Sequence, residues 1–371
     1  MAPRVSACQA IANSKSADAL LVHDWSKLSY GKHTSKTDQA RLTHESNVGY
    51  ELYTALLLDA DCGTALAPME LQLRCSGGVH TTRHKGLAKV VPHLDQILPT
   101  MLASRDWGVQ RRIVHVIDRE ADCQVDFRIW SAASELFLVR GDFTRKVVWE
   151  DQSFKMPELA THWQKQGRFQ QAGTVEIRGK TGVRYIAEGK ILLNTPARKR
   201  TTHGRIKLSG APLDLRLVIS QILSGNGEIL AEWYLLTNVA ADVSAVTIAD
   251  WYYWRWGIES YHKLLKAGGQ QLESWQQETA EAIAKRLLIA AMVCVCAWQI
   301  QRQTTPEAVE CQKLLVRLSG RQMKRTRPIT TPALIAGLHL LLPMLQLLEQ
   351  YTPDQLRRLA ETSVPQLIKS G

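Results

Sequence analysis

Over the first 143 residues, short apolar runs alternate with polar turns. ALLVHD (Ala19–Asp24) is an apolar run that ends in an acid, and TALLLDA (Thr54–Ala60) and APMELQLR (Ala67–Arg74) follow, separated by the turn-prone DADCGT. All three have strand character. Leu87 to Ala103 carries Leu, Val and Ile at helical spacing and predicts a helix. RRIVHVIDRE (Arg111–Glu120) and ELFLVRGDF (Glu135–Phe143) are again strand-like, the first ending in acids. Strands with helices between them predict a mixed α/β sheet.

Residues 144–240 change character. TVEIRG, VRYIAEGKILL, LDLRLVISQIL and EILAEWYLLTN alternate or run as strands, with Gly, Asn and Pro between them. They predict a β-rich insertion. From Ala245 to Leu265 the pattern returns to helix, and the remainder is predominantly helical, punctuated by Pro328, Pro332 and Pro343. The expected organisation is an irregular segment over 1–18, a core over 19–143, the insertion over 144–244, a second part of the core over 245–300 and a helical region over 301–371.

A chain of 371 residues that is 45% hydrophobic can bury a sizeable core and make two or three structural units. No uninterrupted run of about 18 apolar residues occurs, so no membrane span is expected, and Leu287–Trp298 reads as a buried helix. The N-terminus has no continuous apolar stretch of the kind that marks a secretory signal, which leads us to expect a cytoplasmic protein. The seven cysteines form no C-x-x-C pair, no histidine pair sits at zinc-finger spacing, and reduced, packing cysteines are expected.

The formal net charge is +11 and the pI near 9.3. It is concentrated: Arg178 to Lys207 holds nine Lys/Arg and one acid, Glu188. Such a stripe attracts a polyanion, because pairing with phosphates releases condensed counterions. A merely soluble basic surface has the same composition.

The segment DWYYWRWGIESYHKLLKAG (Asp250–Gly268) carries the densest chemistry. Tyr252, Arg255, Glu259, Lys263 and Lys266 are spaced 3, 4, 4 and 3. On a regular helix they share an arc of roughly 80°, opposite Trp254, Ile258, Tyr261 and Leu265. A solvated helix with i,i+4 ion pairs would look similar. A phosphate-gripping face would also place one carboxylate among cations in this way. Asp118 closes the strand-like VHVID and is followed by Arg119, Glu120 and Asp122; Asp24 closes LLVHD. Two strand-end aspartates and a helical glutamate suffice to hold two Mg²⁺ ions, with Mn²⁺ an alternative. A lone strand-end Asp is more often a turn residue.

These motifs resemble the bacterial insertion-sequence DDE transposases of the YREK-signature (IS-four-like) family. Tyr252, Arg255, Glu259 and Lys266 match Y-x₂-R-x₃-E-x₆-K at every spacing, the D-R-E-A-D box stands at Asp118–Asp122, and Asp24-Trp25-Ser26-Lys27-Leu28-Ser29-Tyr30 matches the first-aspartate motif. The resemblance spans about residues 19–300. It implies a ribonuclease-H-like mixed sheet with a β-rich insertion before the last catalytic helix. Asp24, Asp118 and Glu259 would then be the metal-binding catalytic triad. Arg119, Arg255, Lys263 and Lys266 would contact DNA phosphates, Tyr252 would position the strand, and Trp233, in EWYLLTN, would stack on a flipped base unless it packs inside the insertion's sheet. The implied activity is cut-and-paste transposition through a hairpin, on transposon ends and target DNA, by a homodimer in the DNA complex, in the bacterial cytoplasm and at the nucleoid when DNA-bound. Only 23 residues precede Asp24, fewer than the family's N-terminal DNA-binding domain needs. The alternative expectation is therefore an N-terminally truncated, non-catalytic inhibitor or decayed copy; a third is a sequence-blind metal-dependent nuclease. The Leu-rich run LIAGLHLLLPMLQLLEQ reads either as a dimer contact or as plain helix core.

Overall fold

In the computed structural model, the run beginning at Asp18 forms a long strand, β1 (Asp18–Ser29), at the centre of a 14-stranded mixed sheet. The structure describes residues 5, 7–9, 11, 15–44, 47–177, 179–194, 196–201, 204–208, 210–321 and 329–363. On one side β1 pairs antiparallel with β2 (Val48–Asp59), which pairs with β3 (Ala65–Cys75), which turns into β4 (Gly78–Thr81). On its other side β1 runs parallel to β5 (Arg112–Ile117), and β5 parallel to β6 (Leu136–Arg140). Parallel neighbours require crossovers. Helix α1 (His93–Ser104) lies between β4 and β5 in the chain, and α2 (Gln124–Ala132) between β5 and β6. The helix expected over 87–103 starts at His93, because Pro92 disfavours the α region for Val91 before it; Leu87 and Ala88 instead pair with β4.

The β-rich segment does not fold apart from this sheet. Its strands are β7 (Lys146–Trp149), β8 (Gln152–Lys155), β9 (Gln170–Ile177), β10 (Lys180–Leu193), β11 (Leu213–Leu223) and β12 (Ile229–Thr237). β12 pairs antiparallel with β6, Leu236 opposite Val139, so the sheet runs on without a break in the order β8-β7-β10-β11-β12-β6-β5-β1-β2-β3-β4. A helix that the alternation conceals, α3 (Met156–Lys165), covers one face, its Pro157 fitting the first turn. One buried cluster joins Ile97, Phe127 and Phe137 to Trp163, Leu217 and Leu236, so strands before and after residue 144 share a core. Each fully buried Leu or Phe there contributes about 1.5–3 kcal/mol. The basic stripe is only partly visible: Arg178 lies outside the described residues, and the side chains of 197–207 are not described.

Two compact units result: Met1–His262 with Ser274–Leu288, and Lys263–Glu273 with Ile289–Gly371. The second contains α7 (Pro306–Leu318), α8 (Thr331–Gln350) and α9 (Pro353–Ser363), preceded in the chain by α6 (Ala280–Arg302), which runs from the first unit into the second. α7 and α8 approach so closely that a Cβ on Gly337 would meet the Leu315 carbonyl oxygen at 2.0 Å. By length and composition α8 is long and apolar enough to cross a membrane. His339, Pro343 and Gln346 interrupt its apolar run, which is why the sequence pattern passed over it. Part of the Leu-rich run is core (Leu334 and Ile335), and part (Leu340, Leu342, Met344, Leu345, Leu347 and Leu348) is exposed.

Candidate active site

Parallel pairing of β1 and β5 ends at His23 opposite Ile117. Asp24 and Asp118 are the next residue on each strand, so two neighbouring strands bring their carboxylates to the same level. Asp118 does stand at a strand end. Its Oδ1 caps the following 3₁₀ turn by accepting from the Arg119 N–H at 2.7 Å. Asp24 does not: β1 continues to Ser29, because its other edge stays paired with β2 down to Gly49. Asp24 instead marks the point where β5 falls away.

The third acid arrives on a bent helix. α4 (Ala245–Trp254) is capped by Ser244, whose hydroxyl accepts from the Thr247 N–H, and is fixed by the Trp251 indole donating to Ala60 O at 3.0 Å. The Trp254 ring packs on Gly63, whose φ of +66° suits glycine. At Arg255 the helix tightens, with Arg255 N–H donating to Tyr252 O and Ile258 N–H to Arg255 O, before α5 (Trp256–Lys263) resumes. The next turn, Leu264–Gly268, is π-helical. The regular arc inferred from spacing therefore does not extend over the whole segment. Both sides are also buried: Ile258, Tyr261 and Leu265 on one, and Tyr252 and Arg255 on the other. The polar side faces the two aspartates.

Arg255 organises that side. Only 3% exposed, it reaches Glu259 Oε1 at 3.1 Å and Asp118 Oδ2 at 3.8 Å through Nη2, with the Tyr252 ring 5.4 Å away. Burial opposes its charge, but Tyr252, Asp118, Asp24 and Glu259 outweigh burial and hold its pKa above the ordinary value. The Tyr252 hydroxyl donates to Asp118 Oδ1 at 2.9 Å. Burial is the main influence raising the Tyr252 phenol, and contact with Asp118 adds to it. For Asp118 itself, burial pushes up, while Arg255, the Arg119 N–H, Tyr252 and Arg140 together hold the carboxyl below its usual range. Asp118 and Glu259 keep 43% and 42% of their side-chain surface open, and Asp24 24%.

Other residues brought here were not singled out by their patterns. His262 packs against Asp24, with Nδ1 3.6 Å from Oδ2, and its Nε2 lies 3.1 Å from the Thr54 hydroxyl. Its i+3 spacing from Glu259 on the same helix was a usable signal. His93 bridges Glu120 at 2.7 Å and Glu51 at 3.0 Å and stacks on Trp25, and those two carboxylates raise its pKa to about 9. Arg140 ends the strand next to Asp118's. Of the D-R-E-A-D box, Asp122 is structural, ion-paired with Arg145 at 2.5 Å and accepting from the Asp142 N–H. Arg119 is half-exposed beside Asp142 at 3.9 Å.

Three expected DNA contacts lie differently. Trp233 is 3% exposed and packs edge-on to Tyr252 at 5.4 Å, so it is a buried support of the helix in this conformation, as its place inside the sheet dictates. Lys263 is exposed and Lys266 lies 3.8 Å from Glu273; both belong to the second unit.

The donors suit a hard divalent cation, being carboxylate oxygens with solvent access. In this conformation the carboxylates gather on Arg255. Among the described residues, the group whose ligand atoms all lie within 4.8 Å of one another is Asp38, Cys75 and His80.

No family model matches the sequence. Among solved structures, a piggyBac transposase synaptic complex with hairpin DNA aligns over 94% of this chain and 57% of that one, at 9% identity and a TM-score of 0.36. The chain thus spans under two thirds of the length of that one.

Proposed function

We propose that this chain is a DDE-type DNA transposase that cleaves insertion-sequence ends and joins them to target DNA. The observation that carries the proposal is the level placement of Asp24 and Asp118 on adjacent parallel strands, with Glu259 joined to Asp118 through buried Arg255. The Y-x₂-R-x₃-E-x₆-K spacing and the strand order β3-β2-β1-β5-β6, with its last two neighbours parallel, support a ribonuclease-H-like core.

Asp24, Asp118 and Glu259 would hold two Mg²⁺ ions, or Mn²⁺, which when bound supply Lewis-acid activation of the attacking oxygen and stabilisation of the leaving one. Around them the chain's own groups have definite tasks. The lowered pKa keeps Asp118 ionised at neutral pH. Tyr252 fixes the orientation of that carboxylate, and Arg255 offsets negative charge that phosphates would otherwise meet as repulsion. Arg119, Lys263 and Lys266 are the cations we assign to DNA phosphates, and we extend the reading to a homodimer on DNA. A hairpin route with a base stacked on Trp233 would require that indole to leave its place against Tyr252.

The test is incubation of purified protein with labelled insertion-sequence ends and Mg²⁺, beside Glu259→Gln. Cleavage at the ends by the wild type alone supports the proposal. Binding without cleavage supports the inhibitor alternative, and sequence-blind degradation the nuclease. Equal cutting by Glu259→Gln overturns the site.

A further inference from the structure

Toward one edge of the sheet, β3 and β4 form a tight hairpin in which Cys75 pairs with Gly78 and Leu73 with His80. Cys75 and Leu73, two apart on one strand, share a face, so His80 is the diagonal neighbour of Cys75, within reach of a long side chain. Asp38 comes from a remote loop and is anchored there: its carbonyl accepts from the Ser76 N–H at 2.9 Å, its Oδ1 from the Tyr50 hydroxyl at 2.7 Å, and its Oδ2 from the Ala280 N–H at 2.8 Å. The same loop grips the chain before α6, where the Lys36 ammonium donates to the Trp275 carbonyl at 2.9 Å and to that of Gln277, and the Thr37 N–H to Glu278 O. The carboxylate, thiol and imidazole that result lie with their ligand atoms within 4.8 Å of one another. His80 also lines an open cleft of about 760 Å³ together with Leu71, Thr82, Lys85, Glu281 and Lys285.

We propose that Asp38, Cys75 and His80 form a Zn²⁺ site separate from the acidic triad. A thiolate with an imidazole selects a borderline-soft ion and disfavours Mg²⁺ and Ca²⁺. Binding replaces the Cys75 S–H bond by a sulfur–zinc bond and releases the thiol proton to solvent. The two hydrogen bonds accepted by Asp38 leave a lone-pair site on each oxygen and orient the carboxylate, as supporting contacts at metal centres do. Three protein ligands leave a fourth position for water or for a donor entering the cleft at His80. The ion would tie the β3–β4 hairpin to the Asp38 loop and, through the Ala280 N–H that donates to Asp38, to the start of α6.

The test strips the full-length protein with a chelator, reloads it with Zn²⁺ or Co²⁺, desalts it and measures bound metal, the thiolate-to-cobalt charge-transfer band and the thermal midpoint. The proposal predicts one zinc per chain, a cobalt band and a rise in midpoint on zinc addition. His80→Asn, a half-buried position that tolerates the change, should lose at least tenfold in affinity together with the rise in midpoint; Cys75→Ser should lose the band. The double variant Asp24→Asn/Glu259→Gln should keep all three signals, which separates this site from the proposed transposase centre. Wild type that retains no zinc, zinc retained by folded His80→Asn, or zinc lost only in the acid double variant would each overturn it.

Discussion

Replacing Arg255 with Met keeps an unbranched side chain of similar length in the same buried channel and removes the one buried charge shared by the acids. At 3.1 and 3.8 Å from Glu259 and Asp118, a unit charge at an effective dielectric near 20 contributes roughly 4–5 kcal/mol per contact, and in water about 1. Both carboxylates are more than two fifths open, so solvent screening brings the working figure toward the lower end, about 1–2 kcal/mol in total. That attraction competes with any cation the triad takes up. Arg255→Met should therefore bind Mn²⁺ about 5- to 30-fold more tightly than wild type, while cleaving DNA ends more slowly because phosphates lose a buried counter-charge. Titration of Mn²⁺ followed by its electron paramagnetic resonance signal measures this, since Mn²⁺ favours the carboxylate site over a thiolate one. Unchanged or weaker Mn²⁺ binding by a folded Arg255→Met protein would refute the reasoning.

Three further outcomes follow from the same contacts. Tyr252→Phe removes the hydroxyl that donates to Asp118; a charge-assisted bond to a half-open carboxylate is worth about 1 kcal/mol here, so single-turnover cleavage should fall about fivefold and the acid limb of its pH profile should move upward. His93 has its pKa raised to about 9 from 6.5 by Glu120 and Glu51, so its stabilisation is complete below about pH 6.5 and is lost as pH rises through 9. His93→Ala should thus lose about 1–2 kcal/mol more against wild type at pH 6 than at pH 10, where only the loss of the ring stacked on Trp25 remains, as read from urea midpoints. Gly337→Ala drives a Cβ into the Leu315 carbonyl and should loosen the α7–α8 crossing by about 1–3 kcal/mol, seen as faster proteolysis of the C-terminal helices.

Much of the core was legible because strand alternation and turn residues are local signals: β2, β3, β5 and β6 fall where TALLLDA, APMELQLR, RRIVHVIDRE and ELFLVRGDF stand. Asp118 was readable for the same reason. Asp24 was legible as an acid closing an apolar run, but its setting in mid-strand depends on β1 staying paired with β2 past Thr54 as far as Gly49, which no local pattern carries. The continuity of the sheet from β6 into β12 is a long-range pairing of this kind. The helix arc failed beyond Arg255 for a different reason: a tight turn there and a π-helical turn at Leu264–Gly268 break the 3.6-residue period that the arc assumed. Trp233, expected as a stacking ring with packing in the sheet as the alternative, is buried because its strand lies inside the sheet with Tyr252 over it. Glu51 and His93 meet only through tertiary folding, as Asp38 meets the Cys75–His80 hairpin, so their spacing held no sign of the pairing.

The most direct test of the central claim is strand-specific nicking of labelled insertion-sequence ends in Mg²⁺ by Asp24→Asn, Asp118→Asn, Glu259→Gln and the triple variant, each confirmed folded by circular dichroism. Groups that act as one unit are not additive. The account predicts that every single variant falls to the same residual level as the triple variant, at least a thousandfold below wild type; nicking by Asp24→Asn or Glu259→Gln at close to the wild-type rate would contradict it.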